Sequence, residues 1–214
     1  MVRKFRKSLS SLIQLKKFVY LISPNKIENN FYNSLDKVLS YRNVKFFQLR
    51  LKKIKKSKVF KIAKKIMIIT KKYNVKFIIN DDYNLALKLN ADGCHMGQSD
   101  GSIKDAKKKL RRKILGVTCH NSIKLAKKAK KNKVDYLAFG SFFKSKLKPK
   151  AKKANIRIIK NANKLVKKPI VVIGGITESN YKKFIKSGAK YIAISSFIWD
   201  NPKLKPEVAI KKFK

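Results

Sequence analysis

The sequence predicts an α/β chain folded as a single (β/α)8 TIM barrel, and three features of its 214 residues point there. Apolar, β-branched runs of strand length recur along the chain, separated by lysine-rich amphipathic stretches of helix length. That alternation calls for parallel strands joined by crossover helices. There are eight such runs, enough to close a barrel in a chain of about this length. Polar residues follow nearly every run on its C-terminal side, and in a barrel those ends converge on one mouth. A doubly wound open sheet is the runner-up, because periodicity alone does not say whether the sheet closes.

The elements follow in order. Phe18–Ile22 is the first strand run, and the amphipathic stretch Phe31–Tyr41 leads to the second, Lys45–Leu49, which ends among Gln48, Arg50 and Lys52. Val59–Tyr73 reads as helix and returns the chain to Lys76–Ile79, which runs into Asn80 and Asp81. Asp82–Leu89 precedes Gly93–Met96, a strand run carrying His95 and followed by Gln98 and Asp100. Ser102–Lys109 leads to Ile114–Thr118, closed by Thr118 and His120, and Ser122–Lys131 leads to Tyr136–Gly140. Lys144–Lys153 is a polar loop within the barrel. Asn155–Val166 then precedes Ile170–Gly174, and Ser179–Lys186 precedes Tyr191–Ser195, with Gly174-Gly175 and Ser195-Ser196 at the two strand ends. Nothing reads as an interdomain linker. The expected organisation is a basic N-terminal extension over 1–16 and a barrel over 17–214.

Composition sets limits. Hydrophobic residues make up 44% of the chain, too many for a disordered polymer. The longest apolar candidates, such as Tyr191 to Trp199, are strand-sized and far short of a bilayer span, so no membrane partner is expected. Met1 to Lys17 is basic, but Ser10, Ser11 and Gln14 break its middle, which argues against a secretory signal. Two cysteines, Cys94 and Cys119, give no disulfide framework and fit a cytoplasmic protein. Lysine and arginine number 56 against 11 acids, a formal charge of +45. Such a field attracts polyanions, yet the lysines are spread along the chain, as an AT-rich genome also produces, and no nucleic-acid motif accompanies them. No specific nucleic-acid partner is expected; the charge helps collect phosphorylated small molecules. Assembly into a homo-oligomer is compatible with the sequence and not specified by it.

Three constellations carry chemistry. Asp81 and Asp100 stand just after neighbouring strands in an acid-poor chain, and such hard oxygen ligands suit Mg²⁺ with waters and phosphate oxygens. The competing reading is that Asp81 or Asp82 caps the following helix and Asp100 opens a turn with Gly101. Gly174-Gly175 and Ser195-Ser196 offer small residues and backbone N–H groups at the last two strand ends, where many barrels hold a phosphate. Cys94-His95 and Cys119-His120 suggest zinc, but adjacent strand residues face opposite sides, and two ligands do not close a zinc site.

Gln48-Leu49-Arg50-Leu51-Lys52 resembles a Q-L-R-x-K motif, and Ile79-Asn80-Asp81 resembles I-N-D. The stretch from Ala91 through His95, Gln98 and Asp100 resembles A-D-G-x-H-x-G-Q-x-D, and Ile173 to Thr177 resembles I-G-G-I-T with its trailing G-A at Gly188-Ala189. Together these resemble the thiamine-phosphate synthase family, with its thiazole tautomerase branch, over Phe18 to Trp199. The resemblance implies a transferase that joins 4-amino-2-methyl-5-(diphosphooxymethyl)pyrimidine to a thiazole phosphate, releasing pyrophosphate. It implies that Gln48, Leu49, Arg50, Leu51, Lys52 and Asn80 hold the pyrimidine diphosphate and that Asp81 and Asp100 bind Mg²⁺ on its pyrophosphate. Thr118 stands where the family usually has serine, Ser145 and Lys148 lie on the family's phosphate loop, and Gly175, Ser195 and Ser196 match the thiazole-phosphate pocket. Arg50, Lys52 and Lys148 are the implied catalytic residues, stabilising the leaving pyrophosphate.

One motif departs: the family loop T-x-T-K reads here Ser145-Lys146-Leu147-Lys148, so Leu147 brings no hydroxyl to the thiazole phosphate. A tautomerase-like relative is the first alternative. Retention of Gln48, Lys52, Asp81 and Asp100 speaks against it, as does Ser141 where that branch uses histidine. A non-catalytic or RNA-associated basic protein is the second, supported by charge alone.

Overall fold

The computed structural model describes residues 18–143 and 153–214. The N-terminal extension expected over 1–16, and the loop residues Ser145, Lys146, Leu147 and Lys148, lie outside the described residues. The strands are β1 (Val19–Ile22), β2 (Val44–Leu49), β3 (Lys76–Asn80), β4 (Gly93–Met96), β5 (Ile114–His120), β6 (Tyr136–Phe139), β7 (Ile170–Ile173) and β8 (Tyr191–Ile194). The intervening helices are α1 (Phe31–Ser40), α2 (Lys56–Lys72), α3 (Tyr83–Lys88), α4 (Ile103–Leu110), α5 (Ile123–Lys131), α6 (Arg157–Val166) and α7 (Tyr181–Lys186). Strand β1 pairs in parallel with both β2 and β8, so the sheet closes and the open-sheet alternative falls.

Strand alternation sorts side chains into two cores. Val19, Leu21, Phe47, Phe77, Cys94, Leu115, Val117, Leu137 and Val172 pack outward with the helices. Tyr20, Ile22, Phe46, Ile78, Tyr136, Ala138, Val171, Tyr191 and Ala193 fill the barrel itself. The helices present complementary buried stripes, such as Ala63 and Ile66 of α2 and Ile158, Ile159, Ala162 and Val166 of α6. Inside the barrel, Gly116 is required by close approach: a Cβ there would lie 1.9 Å from Cζ of Tyr136, so the missing side chain makes room for that ring.

Side-chain caps start three of the helices. Asp82, Ser102 and Ser122 each accept the backbone N–H three residues on, at Leu85, Asp105 and Leu125. The apolar run Tyr191–Trp199 divides at Ser195, where the strand stops and a short helix α8 (Ser196–Trp199) begins. The sequence reading ended the strand at Ser195 and assigned no helix to Ser196–Trp199. A final helix α9 (Pro206–Ala209) and a 3-10 turn (Ile210–Lys212) bring Phe213 into the core. The Phe213 carbonyl accepts Asn43 Nδ2 at 2.9 Å, just before β2, so the C-terminus secures the end of the barrel away from the mouth. Among the described residues no helix is long and apolar enough to cross a membrane.

Candidate active site

The C-terminal strand ends form a mouth around a cavity of about 620 Å³, lined by residues including Ile22, Arg50, Thr118, Ser141, Gly175 and Ser195. Strand order puts the ends of β3 and β4 across the mouth from those of β7 and β8, and each side carries its own chemistry.

On the first side, Asp81 follows β3 in the left-handed conformation, φ 67°, which aspartate tolerates better than most residues. Its N–H donates to the His95 carbonyl at 2.8 Å, pinning it to β4. The Asp81 and Asp100 side chains hydrogen-bond each other, and Lys52 Nζ lies 3.5 Å from Asp81 Oδ2. Burial pushes the Asp81 carboxyl above its ordinary range, and the contact with Asp100 pushes the same way against Lys52 and Arg50. Burial also works upward on Asp100, but hydrogen bonds from Asp81 and from the Gly97 N–H, at 2.7 Å, outweigh it and hold Asp100 low. One contact therefore moves the two acids apart, Asp81 upward and Asp100 downward. Among the described residues no cluster of three or more His, Cys, Asp or Glu side chains forms. A two-carboxylate donor set fits Mg²⁺, which leaves its other positions to water and phosphate oxygens. The helix-capping duty falls on Asp82 and Ser102, so Asp81 and Asp100 are both free of it. Asp100 also accepts the Gly97 N–H, which braces the turn that precedes it.

On the second side, Gly174 and Gly175 leave β7 with φ of 102° and 66°, and Cβ atoms there would lie 2.0 Å from Ser141 Oγ and 2.6 Å from Phe143 Cβ. Only glycine suits either position. Asn180 Nδ2 donates to the Gly175 carbonyl at 2.9 Å and fixes the turn. Ser195 Oγ donates to the Ser23 carbonyl at 3.1 Å, and Trp199 Nε1 to the Ile22 carbonyl at 2.7 Å, which seats the start of α8 on the end of β1. Gly175, Ser195 and Ser196 thus line one cavity wall.

Between them lie the β2 residues. Gln48 faces the barrel interior, where its Nε2 donates to Tyr20 Oη at 3.1 Å, and Arg50 lines the cavity. Leu49 is buried in the outer core and Leu51 packs against it, so their side chains face away from the cavity. Any ligand contact at those two positions falls to the backbone. Asn80 ends β3 in register with His95. Cys94 faces the outer core while His95 faces the barrel, the opposition expected of neighbouring strand residues. Both cysteines are free and buried, and burial pushes both thiols up. Residues that sequence reasoning did not assign to the site are Tyr20, Tyr136, Ser23 and Asn25. For the tyrosines the available signal was a polar aromatic at an inward position of a strand; nothing in the sequence marked the other two.

Fold and mouth together define a (β/α)8-barrel enzyme with an acidic, lysine-flanked rim facing a glycine-rich turn. The profile of the family described as "Thiamine monophosphate synthase" matches residues 19–198. The chain is 54% identical over 200 residues to thiamine-phosphate synthase of Pelagibacter ubique, covering 93% of this chain and 97% of that one. It is 38% identical over 186 residues to that of Erythrobacter litoralis, covering 85% and 87%. Among solved structures, thiamine phosphate pyrophosphorylase from Pyrococcus furiosus superposes with a TM-score of 0.81 at 27% identity, covering 94% and 95%. The chain belongs to the thiamine monophosphate synthase family.

Proposed function

We infer that this chain is a thiamine-phosphate synthase, a transferase that joins the aminopyrimidine diphosphate to a thiazole phosphate and releases pyrophosphate. The observation that carries the reading is the paired Asp81 and Asp100 carboxylates beside Lys52, across one mouth from the Gly174-Gly175 turn and Ser195. That arrangement supports two phosphorylated ligands held face to face.

In this reading Gln48, Asn80 and Thr118 hold the pyrimidine, and Arg50 and Lys52 bind its diphosphate. Asp81 and Asp100 would hold Mg²⁺, whose charge would stabilise the departing pyrophosphate. The bond between the pyrimidine methylene carbon and the bridging oxygen breaks, pyrophosphate leaves with the electron pair, and the thiazole nitrogen bonds to that carbon. Arg50 and Lys52 aim positive charge where negative charge accumulates, in a mouth partly shielded from water. Gly175, Ser195 and Ser196 hold the thiazole phosphate, and the excess of lysine favours capture of both anions. A reducing cytoplasm suits the two buried free thiols.

The test is purified protein with both substrates and Mg²⁺, following pyrophosphate release and the mass of thiamine phosphate. Product that appears only with both substrates supports the reading. Absence of product in Mg²⁺, or a full rate in EDTA, overturns it or its metal.

A further inference from the structure

Five side chains span the barrel interior beneath the mouth in one unbroken hydrogen-bonded line. Gln48 Nε2 lies 3.1 Å from Tyr20 Oη, Tyr20 Oη 2.7 Å from Tyr136 Oη, Tyr136 Oη 3.0 Å from His95 Nδ1, and His95 Nε2 2.8 Å from Thr118 Oγ1. Its two ends are the residues read above as pyrimidine contacts, while the three in the middle take no part in that reading. We propose that Tyr20, Tyr136 and His95 are positioning residues that couple the Gln48 carboxamide to the Thr118 hydroxyl, so that the pocket selects a pyrimidine whose ring nitrogen accepts while its neighbouring amine donates over one whose ring nitrogen and neighbouring ether oxygen both only accept. This rests on the assignment of the pyrimidine to Gln48 and Thr118.

Counting hydrogens gives the coupling. The Gln48 nitrogen only donates, so Tyr20 accepts from it and must send its own hydrogen to Tyr136. Tyr136 then donates to His95 Nδ1, which requires an uncharged ring with its hydrogen on Nε2. That hydrogen goes to Thr118, whose own hydrogen is left facing the cavity that Thr118 lines. In this order Gln48 Oε1 stays free to accept from an amine. The one other complete order reverses every link: Thr118 donates inward, the imidazole tautomer switches, and the amide turns its oxygen to Tyr20. Any mixed order orphans a buried donor, which corresponds to a bias of roughly tenfold or more. A ligand atom that accepts from Thr118 therefore holds the first order and keeps the Gln48 oxygen outward.

Calorimetry with Mg²⁺ tests this, using the 4-aminopyrimidine diphosphate and its 4-methoxy analogue, whose two acceptors demand a mixed order. The native protein should prefer the amine by at least about tenfold. Tyr136→Phe breaks the line between Tyr20 and His95, and the preference should fall to within about threefold. Thr118→Val, at the far end from Gln48, should erode it similarly. A scaffold role for these side chains would weaken both ligands alike and leave the ratio intact, which overturns the proposal. If Tyr136→Phe does not fold, Tyr20→Phe and Thr118→Val carry the same comparison. Thiamine phosphate formed without any amine preference sinks this inference alone. Failure of either diphosphate to bind removes the pyrimidine assignment and the inference with it.

Discussion

Asp81 and Asp82 are adjacent in the chain and serve different structures. Asp82 accepts the Leu85 N–H at 2.9 Å and pairs with Lys56 at 2.7 Å, which fixes the first turn of α3. Asp81, turned by its positive φ, sends its carboxylate across to Asp100 at the end of the neighbouring strand. The second carboxylate does the capping, so the first is available to the mouth.

This division predicts opposite outcomes for neighbouring substitutions. Asp81→Asn keeps the shape and the tolerance for left-handed backbone, and should cut turnover by at least about 100-fold with little change in Tm. Asp100→Ala should behave alike in turnover. Asp82→Ala should lose about 1 kcal/mol of stability through the cap and keep its turnover. Paired thermal melts and pyrophosphate assays on the three variants decide it; an active Asp81→Asn protein ends the metal assignment.

The Gly174-Gly175 turn predicts a substrate-specific defect. In Gly174→Ala the new methyl meets Ser141 Oγ and the backbone sits at φ 102°, so stability should fall by more than about 1 kcal/mol. KM for thiazole phosphate should rise while KM for the pyrimidine stays near normal, because only one side of the mouth is disturbed. Adding Ser141→Ala should relieve the clash and not the backbone strain, recovering part of the stability. Equal rises in both KM values would place the turn outside the thiazole-phosphate pocket.

Much of the barrel was legible because strand and helix periods leave different marks, and the polar residues after each strand located the mouth. Strand ends shifted by a residue at Gly140, Gly174 and Ser195, where turn geometry rather than hydropathy ends the ladder. Asp81 and Asp100 could be nominated but not separated from capping, since a cap and a ligand look identical in sequence. The Tyr20–Tyr136 contact joins residues 116 positions apart and depends on the space left by Gly116. No local pattern encodes it; only barrel closure brings β1 to face β6.

The positive charge yields a prediction about salt. With lysines scattered over the surface, binding to single- or double-stranded nucleic acid should be independent of sequence and lost steeply as salt rises, since it rests on counterion release. Filter binding across a salt series measures the slope. Tight binding to one defined sequence at physiological salt would instead point to a nucleic-acid function.

His95 yields the pH prediction. Burial of its ring lowers its pKa from 6.5 to about 4, because the imidazolium has no solvent and its neighbours are hydroxyls. In the unfolded chain the ring takes a proton near 6.5, so between that pH and about 4 the unfolded state binds more protons and stability rises with pH. The contribution is complete above about 6.5 and is lost as pH falls through that window, by up to about 3 kcal/mol. Urea titrations from pH 7 to pH 4 should show this slope on top of the carboxylate background, and His95→Gln should remove that portion of it. Imidazole resonances of labelled protein give the direct check: at pH 6 the His95 ring should be neutral, with its hydrogen on Nε2, while exposed His120 offers an internal comparison in the same spectrum. A His95 ring that titrates near 6.5 would mean that water reaches it, and the buried line of hydroxyls would then be open to solvent.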